Sequence, residues 1–289
     1  MSYNVTNVNP TRFHRNQLRI FAYLVPLSVF MLLPIVFIIN HAFKPLGELF
    51  AFPPKFFVTN PTWKNFEQLF QATENSDIHI SRYFFNSLLV TVVVVLLTIL
   101  ISSMGGYALS KMNFRGKKVL LEVNNIALMF VPVSVAIPRY LIIQWLHISN
   151  SYLAHILPLL VMPVCLFLVK QFVDEIPDSL TEAATVDGAS EWTIYRKIIL
   201  PLAKPALATT ALLTFQSVWN NTETSIMYVN SESMKTLAYY LSTLASNSNI
   251  VASQGIAAAQ SLIMFIPNMV LFIIMQSRVM NTMATSGMK

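Results

Sequence analysis

Residues 182–205 read EAATVDGASEWTIYRKIILPLAKP, a charged and proline-bounded stretch in a chain that is 55% hydrophobic and only 11% charged. Residues 174–204 hold nine of the 32 Asp, Glu, Lys and Arg residues: Asp174, Glu175, Asp178, Glu182, Asp187, Glu191, Arg196, Lys197 and Lys204. Outward from this island the sequence is apolar on both sides. The mean hydropathy of +0.57 is far above that of a soluble domain, and the apolar residues run in uncharged blocks instead of alternating with polar ones. A helix needs about 20 apolar residues to cross a bilayer. Ile20–Asn40, Tyr83–Ser110, Ser151–Val169 and Ile256–Gln276 contain no Asp, Glu, Lys or Arg. Two blocks are weaker: Val123–Pro138, which Leu141–Leu146 extends past Arg139, and Pro205–Thr222, which ends in polar residues. Polar, breaker-rich spans of this kind face a protein interior or a cavity more often than lipid. The expected fold is an all-α integral membrane protein, a single domain with six transmembrane helices over about 20–42, 84–110, 121–146, 151–173, 205–225 and 256–278. Residues 176–204 then form a helix–turn–helix elbow between spans four and five.

The Lys and Arg residues orient these spans. With the N-terminus inside, 13 of them fall on the cytoplasmic side and six outside, a bias that predicts N-in and C-in topology. The net charge of +6 then reflects this bias and contact with anionic lipid, so nucleic-acid binding is not required. Arg12, Arg15 and Arg19 before the first span resemble a secretory signal, but the apolar core is too long and no small-residue cleavage site follows. The single cysteine, Cys165, excludes a disulfide within the chain, and no metal motif can be built on it. The loop His41–Arg82, with Pro45, Pro53, Pro54 and Pro61, is expected to be non-helical except over Trp63–Phe70. Its aromatic residues fit anchoring at the membrane surface or docking of an external partner.

Within the elbow, Ser179 and Glu182 have the spacing of a capping box, which predicts a short helix starting near Leu180. Ala183 and Ala184 give it a small-residue surface, and Asp187-Gly188 supplies the turn. Ser190 caps a second short helix, with Arg196 and Lys197 near its favourable C-terminal end and Pro201 stopping it. Charges that only solvate a loop are one explanation. Paired alanines, a glycine bend and a proline-locked exit favour another, an elbow shaped to sit in a cleft of a second protein.

These residues carry a resemblance. Glu182-Ala183-Ala184, three residues, Gly188, nine residues, Ile198, one residue, then Leu200-Pro201 matches the EAA signature of permease subunits of bacterial ABC importers. The extended EAATVDGAS…KIILPLAKPALA, the segment Lys235–Leu241 and the ending TMATSGMK resemble the carbohydrate branch, specifically the smaller permease of the maltose type. The resemblance implies a heterodimer with a second homologous permease, two cytoplasmic ATPase subunits that carry ATP and Mg2+, an external solute-binding protein and a sugar cargo, in a bacterial cell membrane. No G-x-x-x-x-G-K-[ST] loop occurs, so this chain is expected to bind no cofactor and to leave hydrolysis to the partner subunits. By the same resemblance the elbow is the coupling helix, with Glu182, Ala183, Ala184, Asp187, Gly188, Ile198 and Pro201 as its coupling residues. Glu182 either caps its own helix or pairs with a basic residue of the ATPase, and Asp187 reads as a local turn acceptor.

Sugars are held by amides and carboxylates and stacked on aromatic rings. The best such cluster is Gln216, Trp219, Asn220, Asn221 and Glu223, in FQSVWNNTETS at the end of span five. A bland alternative makes Trp219 an interfacial anchor and the amides helix caps. Relatives often carry W-N-D-F here, where this chain has W-N-N-T-E-T. Asn124 and Asn125 are candidates for hydrogen bonds between helices. The resemblance also makes Glu223–Asn249 a docking element for the binding protein and Thr282–Lys289 a second contact with the ATPases. Competing classes are an importer permease for a non-sugar solute, an ion-coupled secondary transporter and a membrane scaffold or sensor. The secondary transporter predicts ionisable groups buried at mid-membrane, and the six spans offer only Arg139.

Overall fold

Long apolar blocks favour helices, and prolines interrupt them. The computed structural model describes residues 15–74, 78–247 and 253–286, and no strand occurs among them. The helices are α1 Arg15–Ala42, α2 Lys64–Glu74, α3 Ile80–Lys111, α4 Lys117–Met129, α5 Ala136–Trp145, α6 Tyr152–Leu160 and α7 Pro163–Asp174. There follow α8 Asp178–Val186, α9 Glu191–Leu202, α10 Lys204–Trp219, α11 Glu223–Met227, α12 Leu237–Asn247 and α13 Ser253–Ser286. The chain divides into two compact units, 1–71 with 248–262 and 72–247 with 263–289.

In the first unit, the proline-rich chain between α1 and α2 contains a single helical turn, Leu46–Leu49, and is held by polar anchors. Glu48 accepts from the backbone N–H groups of Thr59 and Asn60 at 3.0 and 2.9 Å. The buried Asn65 amide donates to Ala42 O and Lys44 O, both at 2.9 Å. Gly255 packs so closely on Asn65 that a Cβ there would lie 2.6 Å from its Oδ1. Phe43 meets Trp63 edge-on and also packs against Phe66.

The second unit is built around α3. A Cβ added at Gly106 would approach Val169 Cγ1 to 2.8 Å and Lys170 N to 3.1 Å, so the bare glycine lets α3 and α7 come close. Val90 and Val94 of α3 pack with Ile156 and Leu159 of α6 and Val218 of α10.

Among the described residues three helices are long and apolar enough to cross a membrane: Ile20–Ala42, Ile80–Lys111 and Gln254–Gln276. The expected third and fourth spans are instead bent pairs, by 110° between Lys117–Met129 and Pro132–Trp145 and by 44° between α6 and α7. Pro132 and Pro163 follow these breaks, and a proline removes a backbone donor and disfavours helical geometry in the residue before it. Val131 is accordingly extended, with φ −76° and ψ 133°. The fifth span departs differently. α10 stops at Trp219, short of the expected residue 225, and bends by 74° from α9 at Ala203.

Candidate functional site

The elbow consists of α8, a four-residue connection over 187–190 and α9. α8 begins at Asp178, with Pro177 at its cap and no side chain capping it. Ser179 therefore lies inside the first turn, and the expected Ser179–Glu182 capping box does not form. The start is fixed from outside instead: Lys111 Nζ donates to Ile176 O and to Asp178 Oδ1, each at 2.6 Å. Glu182 is left exposed and makes no hydrogen bond or ion pair among the described residues.

At the other end, Gly188 N–H donates to Thr185 O at 3.0 Å and Ala189 N–H to Ala184 O at 2.9 Å. This pair of bonds, with Gly188 at φ +79°, is a Schellman closure that satisfies the last carbonyls of α8. Nothing lies within 4 Å of a Cβ at Gly188, so its glycine is required by backbone conformation and not by space. The Asp187 side chain is exposed and only its backbone N–H serves the turn, donating to Ala183 O. Ser190 does cap α9, its Oγ accepting from Thr193 N–H at 3.3 Å. Before Pro201, which can donate no backbone bond, α9 widens into an i→i+5 turn over Tyr195–Ile199 closed by Leu200 N–H on Tyr195 O.

One face of the elbow is buried. Ile194, Tyr195 and Ile199 pack with Tyr107 of α3, Val169 and Val173 of α7, Ile176 and Ala203, and Ala184 and Ile198 lie against the same cluster. Polar links reinforce it: Ser103 Oγ bonds Tyr195 OH at 2.8 Å, and Tyr107 OH donates to Glu191 Oε2 at 2.6 Å. The opposite face is free. Val186 is 88% exposed, Leu180 and Trp192 are exposed, and Glu182, Ala183, Asp187, Gly188 and Pro201 stand at the surface.

The second candidate site is less open than its composition predicts. Trp219 is 3% exposed, stacked on Phe215 and edge-on to Phe84, so it is a core residue of this unit and not an interfacial anchor. Asn220 donates to Gln216 O at 2.8 Å, and Asn221 Oδ1 accepts from Thr224 N–H at 3.0 Å, so both amides cap helix ends. Glu223 pairs with Arg139 at 3.3 Å. Gln216 is exposed, with its side-chain amide unengaged among the described residues. Asn124 reaches from α4 to Pro163 O at 3.4 Å, a bond between helices.

Residues 223–237 are folded inward. His155, fully buried in α6, bonds Thr224 Oγ1 at 2.8 Å and Met234 O at 3.1 Å. Asn86 donates to Ser233 O and Lys235 O at 2.9 and 2.8 Å, and Ser87 Oγ accepts from Leu237 N–H at 2.8 Å. Burial pulls the Lys235 ammonium down, but its bonds to Glu232 and Tyr239 outweigh this and raise it above the ordinary value. None of these anchors was singled out from sequence, because single polar residues in charge-free blocks carry no spacing signal. Residues 248–249 of the expected docking element lie outside the described residues. So do 287–289 of the expected tail contact, and the side chains of its remaining residues are not described.

Long apolar helices, bent helix pairs and a charged elbow define an all-helical membrane protein. Residues 98–278 match the family described as "Binding-protein-dependent transport system inner membrane component". The arabinooligosaccharides transport system permease protein AraQ of Halalkalibacterium halodurans is 32% identical over 269 residues, covering 93% of this chain and 94% of that protein. The sulfoquinovosyl glycerol transport system permease protein SmoH of Agrobacterium fabrum is 28% identical, covering 89% of each chain. A bacterial ABC transporter involved in the import of the acidic polysaccharide alginate shares the fold, with a TM-score of 0.75 at 23% identity over 92% of this chain and 99% of that one. The chain belongs to the binding-protein-dependent transport system inner membrane component family. It is a multi-pass, non-catalytic permease component of the cell membrane.

Proposed function

We propose that this chain is one of two homologous permease subunits of an ATP-driven importer that carries a sugar or oligosaccharide from an external solute-binding protein by alternating access. The observation that carries the proposal is the elbow. Its inner face is locked to α3 and α7, while its outer face presents Val186, Ala183 and an unspent Glu182 carboxylate on a glycine-closed tip. A surface so arranged fits an apolar groove with a basic residue beside it, and two cytoplasmic ATPase subunits holding ATP and Mg2+ are the partners that supply it. Glu182, Ala183, Ala184, Asp187, Gly188, Ile198 and Pro201 form or shape this contact. The topology that serves it has six spans, the two bent pairs before the elbow counted as one span each and α10 as the fifth, with both termini and residues 176–204 in the cytoplasm.

The cargoes that AraQ and SmoH are named for, arabinooligosaccharides and sulfoquinovosyl glycerol, support a glycan cargo. Of the five candidates in the transport path, Gln216 offers a free amide with Asn220 exposed beside it, whereas Trp219, Asn221 and Glu223 hold the turn that positions them. The test compares wild type with Gly188→Arg in the co-expressed transporter, following co-purification of an ATPase subunit and ATP hydrolysis stimulated by the sugar-loaded binding protein. Loss of both in a folded variant is expected. Full retention of both would refute the assignment of the elbow.

A further inference from the structure

In this unit the covalent route from the elbow to residues 223–237 is broken twice. It bends by 74° at Ala203 and stops being helical after Trp219. A second route is unbroken. α3 runs for 32 residues, about 48 Å at 1.5 Å per residue, with no proline inside it. Both of its ends are fastened. Near its C-terminus Ser103, Tyr107 and Lys111 bond Tyr195, Glu191, Ile176 O and Asp178 of the elbow and its approach. Near its N-terminus Arg82, Asn86 and Ser87 bond Ser233 O, Lys235 O and Leu237 N–H, and Tyr83 stacks on Tyr240 with centroids 4.4 Å apart. Bonds at both ends are short and directional, and those of Lys111, Tyr107 and Glu191 involve a charged partner, which makes them the stronger kind.

We infer that Tyr107 and Lys111 are positioning residues that make α3 the rod by which displacement of the elbow reaches the segment 223–237 at its far end. The inference rests on the importer reading above. A helix tied at one end only would leave the far segment to follow the hinged α9–α10 route, and displacement would be absorbed at Ala203. Tied at both ends, α3 and the far segment move as one body with the elbow, as rigid elements with discrete arrangements transmit coupling.

The test uses the complete transporter reconstituted with its own partner subunits and carrying Asn230→Cys, an exposed reporter in the far segment. The native thiol, Cys165, is buried, so a membrane-impermeant maleimide reads the reporter. Labelling is followed without nucleotide and with MgATP and orthovanadate, in the parent and in Tyr107→Phe, Lys111→Met and Thr222→Gly. Basal ATP hydrolysis and subunit yield are measured on the same samples.

The expected result is a nucleotide-dependent change in the parent and in Thr222→Gly that shrinks about tenfold in Tyr107→Phe and Lys111→Met, the size of one charge-assisted bond. Basal hydrolysis and yield stay near parental, a split that loss of folding would not produce. An unchanged response in both latch variants, or its loss only in Thr222→Gly, overturns the inference in favour of the covalent route. Loss of yield, hydrolysis and response together assigns the two residues to folding and also overturns it. A parent that shows no response to nucleotide removes the importer reading, and the inference with it.

Discussion

Gly105 and Gly106 sit side by side on α3, yet alanine at each should behave differently. A Cβ at Gly106 would lie 2.8 Å from Val169 Cγ1, 3.1 Å from Lys170 N and 3.3 Å from Val169 C. Two of those atoms are backbone and the third belongs to a β-branched side chain with little rotamer freedom. Overpacking of this kind costs about 1–3 kcal/mol, against a helix-propensity gain of about 0.5–1 kcal/mol for replacing glycine. The net for Gly106→Ala is a loss of roughly 0–2.5 kcal/mol, which at its midpoint is a fall in Tm of about 4 °C at the usual scaling for a domain of this size. At Gly105 the single close atom is Leu166 Cδ1 at 2.9 Å, the far end of a flexible side chain. Gly105→Ala should therefore be neutral or raise Tm slightly. Thermal unfolding of the purified transporter in detergent measures both. Val169→Ala provides the decisive cross-check, because it removes the obstructing methyl: Gly106→Ala with Val169→Ala should cost less than the sum of the two singles by about 1 kcal/mol or more. Equal melting of both glycine variants, or strict additivity in the cycle, would refute close α3–α7 contact at Gly106.

At the elbow tip, Gly188→Ala should cost about 1–2 kcal/mol of local conformation because φ is +79° there with open space around it. Gly188→Asn should cost less, since asparagine tolerates this region, and the order Gly, Asn, Ala should appear in stimulated ATP hydrolysis. Asn86→Ala leaves Lys235 O without its donor and Ser233 O with only the Arg82 Nε–H, and unfolding should shift by about 1–3 kcal/mol. Glu48 responds to pH. Its carboxyl is held below the ordinary value of 4.5 chiefly by the Thr59 N–H, with Asn60 adding to it against burial. The stability this bond contributes is present above the unfolded value and is lost as pH falls through the lower folded one. Pepsin cleavage within 45–62 should therefore rise as pH falls below the ordinary value of 4.5, and Glu48→Gln should flatten that step.

The elbow was legible because its signals are local. Ser190 and Gly188 act on backbone within a few residues, and the cap and the left-handed turn appear where those residues stand, whereas α9 runs through Pro201 to Leu202, with a widened turn before the proline instead of a stop. The start of α8 departs from its local signal for the complementary reason. Ser179 and Glu182 have the right spacing, but Lys111, 67 residues upstream of Asp178, claims Ile176 O and the Asp178 carboxylate and moves the helix start. Hydropathy located the six apolar blocks, three of which are single long helices. It does not measure direction, so the 110° and 44° bends followed only from the placement of Pro132 and Pro163.

The polar run WNNTET was the hardest to interpret, because composition does not distinguish a binding site from backbone repair. After Trp219 the chain leaves helical geometry inside a helical unit, and every carbonyl and N–H freed there needs a partner. Asn220 and Asn221 supply two of them, Thr224 bonds His155, and Asn86 and Ser87 reach across from α3 to the chain beyond. Most of the polarity is thus consumed in holding an irregular segment against α3 and α6. That leaves Gln216, one turn earlier on α10 and exposed, as the amide with hydrogen-bonding capacity to spare. A substitution series separates the two uses: Gln216→Ala should weaken solute-stimulated hydrolysis at low solute while leaving Tm unchanged, whereas Asn221→Ala should lower Tm by an amount expected for a lost helix cap, about 1 kcal/mol. If Gln216→Ala melts early and transports normally, the amide is structural too, and the solute path runs elsewhere in the unit.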